Sequence, residues 1–155
     1  MPVTSPVSVE EQIAWLTNRV QIHDLLLAYA RCVDTKDWTG FADLFADDGR
    51  VVLPFGSIGK GDMADSVERI LAPYEATHHL FANVGIDIDG DTARANHYLQ
   101  AVHVTSAGTS SRHADIGGWY NNTYRRIPGG WRFVSVDLTL VWSAGDVFEP
   151  EDPTG

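Results

Sequence analysis

The chain has 155 residues, 44% of them hydrophobic and 21% charged, which is enough for one domain with a buried core. No apolar run reaches the roughly 18 residues of a membrane span. A net charge of −10 argues against nucleic acid and anionic membrane surfaces as partners, since both select clustered Lys and Arg.

Ser8 and Glu11 form a capping box at the start of a long helix. Apolar residues then recur at helical spacing from Ile13 through Leu16, Val20, Ile22, Leu26 and Tyr29 to Val33, and the pattern ends near residues 34–37. Residues 38–45 read as a second, short helix that buries Trp38, Phe41, Leu44 and Phe45. Asp47-Asp48-Gly49 is a turn signal, residues 50–55 read as a first strand and residues 56–61 as loop. A third helix is expected over residues 62–71, stopped by Pro73. The period then changes to alternation. Strands are expected over residues 77–88, 92–105, 113–126 and 131–142, joined by Asp89-Gly90-Asp91, a small-residue loop at 107–111 and Pro128-Gly129-Gly130. Helices followed by an antiparallel meander make an α+β layout, a single domain over residues 1–145. A curved sheet with helices on its concave face would enclose a pocket. Residues 146–155, with Asp146, Glu149, Glu151 and Asp152, read as an acidic, flexible tail.

Cys32 is the one cysteine, which rules out an internal disulfide and a cysteine-based zinc cluster. Residues 1–8 carry neither the positive charge nor the apolar stretch of a secretory signal, so the expected location is the cytoplasm.

Asp34 stands out chemically. On a helical wheel it falls within about 40° of Leu16, Val20, Leu27 and Ala30, so it ends an apolar stripe and should face the interior or its rim. It also reads as a helix-end carboxylate in solvent, or as a cap for the next helix. If buried, it needs a partner. Histidines could supply one. His78 and His79 open one strand, while His97 and His103 share strand parity with Ala93, Ala95, Leu99 and Ala101. Each is equally readable as an ordinary core or surface histidine. His23 and His113 have no supporting context. Two histidines and an aspartate could also form a facial metal triad, but neither a metal nor a cofactor is expected.

These segments resemble a known family. Tyr29-Ala30-Arg31-Cys32-Val33-Asp34-Thr35-Lys36-Asp37-Trp38 is similar to the first-helix signature of scytalone dehydratase and its SnoaL-like relatives, in the nuclear-transport-factor-2-like superfamily. Thr77 to Asn83 resembles the next motif, a His with Asn four residues on, and His97 to His103 resembles the dehydratase strand that ends in its second catalytic His. Tyr124-Arg125-Arg126 with Gly129 to Phe133 resembles the closing hairpin of the superfamily. The resemblance implies a cone-shaped fold, with Asp34 orienting a histidine and His79 and His103 as the acid–base pair. Tyr29, Trp38, Phe55, Phe81, Asn83 and Tyr120 are the candidate pocket-lining residues. Val33 stands where the dehydratase has a tyrosine, residues 50–55 lack a second one, and Tyr120 falls near an active-site Asn. The likeness therefore does not extend to scytalone as the substrate.

One conflict is visible in the sequence. Strict alternation sets His78, not His79, on the side of Leu80, Val84 and Ile86, whereas the family spacing to Asn83 selects His79. A bulge would reconcile the two. The expected activity is a cofactor-free lyase or isomerase, dehydratase- or cyclase-like, acting on a small apolar ketone or polyketide-like substrate. His79 would be base and His103 acid, or the reverse. The alternative is a non-catalytic ligand-binding or assembly module of the dioxygenase β-subunit kind. A homodimer or larger homo-oligomer is expected in either case.

Overall fold

The structure is a computed structural model of the chain and describes residues 8–108 and 112–145. The acidic tail and part of the loop at 107–111 lie outside the described residues. Helix α1 is Val9–Asp34, opened by the reciprocal Ser8–Glu11 cap. Helix α2 is Trp38–Asp43 and α3 is Lys60–Leu71. Six strands follow one another as β1 Phe45–Leu53, β2 Gly56–Gly59, β3 Ala76–Asp89, β4 Thr92–Val104, β5 His113–Ile127 and β6 Gly130–Gly145. They form one curved, unclosed sheet in the order β2-β1-β6-β5-β4-β3, antiparallel except where β1 runs parallel to β6. The layout is α+β, as the sequence implies.

The first part of the sheet differs from expectation. The strand expected at residue 50 starts at Phe45, and the region expected to be loop at 56–61 contains β2. Asp47-Asp48-Gly49 is a register shift inside β1 rather than a turn, because β1 pairs with β6 at both Phe45 and Arg50. Gly49 is required there. A Cβ would come within 2.7 Å of the Ala46 carbonyl oxygen and 2.9 Å of the Phe45 Cβ. Asp47 and Asp48 point outward onto Lys60 and Arg125.

Helix α1 is apolar on two faces. The core face is Ile22, Leu26, Tyr29 and Val33, all buried. The stripe of Leu16, Val20 and Leu27 that the wheel assigns to Asp34 is more than half exposed. Asp34 therefore does not end a buried stripe, contrary to the expectation from the helical wheel. Asp34 reaches the interior because the last turn of α1 meets the first residues of β3, not because it continues a buried stripe.

Strand β3 changes face midway. Ala82 pairs with Tyr98 and Gly85 with Asn96, so Asn83 and Val84 together oppose His97. Asn83 takes a left-handed φ of 53°. Before this bulge the inward residues are His79 and Phe81, and after it they are Val84, Ile86 and Ile88. Of the face expected from alternation, Val84, Ile86 and Ile88 do point inward together, but Leu80, on the other side of the bulge, is exposed on the opposite face. Strand β4 keeps strict alternation, with Ala93, Ala95, His97, Leu99, Ala101 and His103 all inward and buried.

Candidate active site

Between α1, α3 and the sheet lies a cavity of about 600 Å³. Its wall is apolar for the most part, built from Val33, Phe41, Val51, Val67, Leu71 and Ile116 among others. Among the described residues, its polar lining side chains are Tyr29, Tyr74, His79, His103, Asp115 and Tyr120, with no Lys or Arg.

Asp34 sits behind His79. Its Oδ1 is 2.7 Å from His79 Nδ1 and accepts a hydrogen bond from the Thr77 hydroxyl at 2.8 Å. Its Oδ2 accepts from the His79 backbone N–H at 3.0 Å. Burial alone would raise this carboxyl. The hydrogen bonds from the His79 ring and backbone, the His79 charge and the Thr77 hydroxyl outweigh burial and hold it below its ordinary value. An ionised carboxylate can only accept, so the imidazole Nδ1 donates to Asp34 and Nε2 is the nitrogen left for other partners. The hydrogen-bond reach between Asp34 and a histidine that the sequence leads one to expect is thus present, and it is reached through His79.

His103 is oriented the same way by a different partner. Its Nδ1 lies 2.9 Å from the Ala114 carbonyl oxygen, which can only accept, so Nε2 is again the free nitrogen. Burial lowers its pKa, the Ala114 carbonyl opposes this, the His79 charge lowers it further, and Asp115 and Asp34 pull it back. The net is downward, so neutral imidazole is favoured. The His79 and His103 rings stand 5.5 Å apart, nearly perpendicular. The Tyr74 ring packs 5.0 Å from His103, and its carbonyl accepts from Lys36 Nζ at 2.9 Å, tying the end of α1 to the entry of β3.

The other sequence candidates divide. Tyr29, Phe55 and Tyr120 line the cavity. Trp38 and Phe81 do not; they pack against the core instead. Asn83 is corrected outright, because the bulge turns it to solvent. His97 is buried but points into the core beside Phe81 and Tyr120. His78 faces out. Sequence reasoning missed Asp115, Tyr74 and the α3 residues Val67, Ile70 and Leu71. The helical spacing of Val67, Ile70 and Leu71 signals burial, but nothing in it separates a cavity wall from solid core. Among the described residues, no group of three or more His, Cys, Asp or Glu side chains is placed to hold a metal ion.

The family description "SnoaL-like domain" matches residues 14–137. An uncharacterized protein of Mycobacterium tuberculosis, Rv2910c, is 23% identical over 127 residues, covering 79% of this chain and 84% of that one. A candidate scytalone dehydratase from Novosphingobium aromaticivorans superposes with a TM-score of 0.79 at 21% identity, covering 93% of this chain and 97% of that one. A hexachlorocyclohexane dehydrochlorinase, LinA type 2, superposes with a TM-score of 0.76 at 20% identity, covering 93% of this chain and 99% of that one. At these identities the structural likenesses show the fold.

Proposed function

The chain belongs to the SnoaL-like domain family, within the NTF2-like superfamily, and from that premise we propose that it is a cofactor-free lyase or isomerase whose Asp34–His79 pair moves a proton at carbon next to a carbonyl. The observation that carries this reading is a histidine in the wall of an apolar cavity, with an ionised carboxylate at 2.7 Å behind it. Asp34 fixes the tautomer and stabilises the imidazolium that forms, while Nε2 offers the base. The apolar wall strengthens both effects.

The substrate class follows from the lining. With no Lys or Arg in the wall among the described residues and carboxylates at Asp34 and Asp115, an anionic substrate would be repelled. A small, neutral, mostly apolar ketone suits the cavity. In an elimination, His79 Nε2 takes the α-proton and the C–H pair forms the enolate. The enolate then expels the β-hydroxyl, which leaves as water with the proton returned by His79. His103 is held neutral with a free Nε2, so it accepts a hydrogen bond from that hydroxyl and orients it. This assigns to His79 both the base and the acid steps that the sequence reading divides between two histidines. In an isomerisation the same proton returns to a different carbon.

The test is α-hydrogen exchange of 2-tetralone in D2O, followed by NMR. The protein should accelerate exchange over buffer, and His79→Ala should return it to the buffer rate while keeping its thermal transition. Exchange no faster than buffer, or unaltered in His79→Ala, overturns the reading and favours the binding-module alternative.

A further inference from the structure

The cavity runs across the sheet, and its character changes along the way. His79 on β3 and His103 on β4 line it near one edge of the sheet, and Tyr74 packs beside His103. Tyr120 on β5 lies further along. Beyond it, the lining side chains of β6, β1 and the β1–β2 hairpin are Leu138, Leu140, Val51, Leu53, Pro54 and Phe55, all apolar. Strands β4, β5 and β6 separate β3 from β1, which sets the two about 19 Å apart along the curved sheet at the usual strand spacing.

The two ends also differ in access. The His79 side chain is 8% exposed and His103 is 7% exposed. Phe55 is 73% exposed and Leu140 42%, although both line the same cavity. A side chain that faces a cavity and water at once stands at its rim. The mouth therefore lies between the β1–β2 hairpin and β6, and the histidines stand at the closed end. Helix α3 roofs the path between them with Val67, Ile70 and Leu71.

We propose that the substrate is an elongated carbonyl compound that enters head-first. Its carbonyl end reaches His79, and an apolar tail runs back past Leu138 and Leu53 to the mouth beside Phe55. The inference rests on the proton-transfer reading of this cavity and gives that reading's ketone a shape. The volume, about 600 Å³, suits a ligand of drug size rather than a few carbons. A compact ketone held at the histidines would leave the apolar end without a partner. A tail placed there removes apolar surface from water on both sides, its own and that of Phe55 and Leu140. It is bound alike before and during proton transfer, so it lowers KM and leaves the chemistry to the head. It also stops the mouth against water, which strengthens the electrostatics at the closed end. Leu53 and Leu138 are then specificity-determining residues, because their bulk sets the tail that fits.

The experiment uses methyl ketones that differ only in the tail: 2-butanone, 2-hexanone, 2-octanone, 2-decanone and 2-dodecanone. Exchange of their α-hydrogens in D2O is followed by NMR, and binding of 1-alkanols of matching length is measured by titration. The kcat/KM of exchange should rise by up to about fourfold per methylene, the gain from burying one CH2, chiefly through KM. The rise should level off once the tail reaches the mouth, and alkanol affinity should follow the same curve. Leu53→Trp should end the rise at a shorter tail. Phe55→Ala, a change at the exposed rim that spares the core, should lower kcat/KM for 2-dodecanone by about threefold or more and for 2-hexanone by less. A flat series, or variants that act equally on short and long tails, overturns the proposal; if exchange still depends on His79, the Asp34–His79 reading stands without it. If no ketone exchanges but alkanol affinity rises, levels off and is cut short in Leu53→Trp, the elongated site is supported and proton transfer falls.

Discussion

At the residue scale, the site depends on His103, which burial biases toward its neutral form, and on the Asp34 carboxylate, held ionised behind His79. Asp34→Asn keeps the shape but replaces a pure acceptor by an amide that can turn a donor toward His79 Nδ1. The imidazolium then loses its counter-charge. The 2-tetralone exchange rate should fall by roughly 10²-fold or more, close to the loss in His79→Ala, and the double variant should be no worse than the poorer single one. Additive losses would show that the two residues do not act as a unit. His97 offers a separate check through stability. Asn122 Nδ2 sits 3.1 Å from its Nε2, so protonating that nitrogen would set two donors face to face. Burial pushes His97 from its ordinary 6.5 to about 4. The unfolded chain therefore takes up a proton near 6.5 that the fold refuses until about 4. The stability from this group is full above the upper value and is lost as pH falls through that window, by roughly 3 kcal/mol. His103 shifts the same way and adds to the slope. Urea unfolding across this range should show a shallower fall in His97→Gln than in the parent, and equal slopes would contradict the assignment.

At the element scale, the bulge in β3 puts His79, not His78, on the side of Val84 and Ile86. Alternation works in β4, where the parity of His97 and His103 with Ala93 and Ala101 is legible in the sequence and holds in the structure. It fails in β3 because one extra residue at Asn83–Val84 reverses the faces, and no periodicity rule contains an insertion. Resemblance to the family motif selects His79, since the spacing of a motif already includes the bulge. The same limit explains Asp47-Asp48-Gly49. An Asp-Gly pair marks a place where the chain needs special backbone geometry, and a bulge inside a strand satisfies that need as well as a turn does. The site itself was only partly legible. Asp34 was found by motif, whereas its helical-wheel argument relied on a stripe that is exposed in the fold. A helix apolar on two sides does not reveal which side the sheet will cover. The bulge can be tested directly. Asn83 has φ of 53°, a conformation glycine adopts freely and a β-branched residue resists. Asn83→Gly should stay within about 1 kcal/mol of the parent, while Asn83→Val should cost about 1–2 kcal/mol. Deleting Asn83 should give unbroken one-to-one pairing of β3 with β4 that keeps His79, Phe81, Ile86 and Ile88 on one face, so exchange should persist; loss of exchange in this deletion would show that the bulge itself shapes the site.

At the scale of the whole molecule, the outer face of the sheet carries more apolar surface than an isolated domain needs. Tyr98 on β4 pairs directly with Trp119 on β5. One row away, Leu80, Gln100, Gly117 and Trp142 follow across β3, β4, β5 and β6. Trp142 lies over Gly117 so closely that a Cβ there would come within 2.1 Å of the indole, which keeps the ring flat on the sheet. Leu80, Tyr98, Trp119 and Trp142 are nonetheless 40–57% exposed. A contiguous aromatic patch of this kind on a sheet face marks an interaction surface. It lies opposite the cavity, so pairing there leaves the site open. We propose that copies of the chain associate through it. A charge of −10 on each copy opposes that association at long range, while the patch itself is uncharged. Added salt should therefore tighten self-association rather than weaken it, because it screens the net repulsion and spares the apolar contact. Light scattering at micromolar concentration should report a dimer or larger assembly, more complete at high salt. Trp119→Glu should give a monomer with an unchanged thermal transition in the α1 core and unchanged 2-tetralone exchange. A monomer from the unsubstituted protein at high salt, or an assembly that Trp119→Glu leaves intact, would place the interface elsewhere.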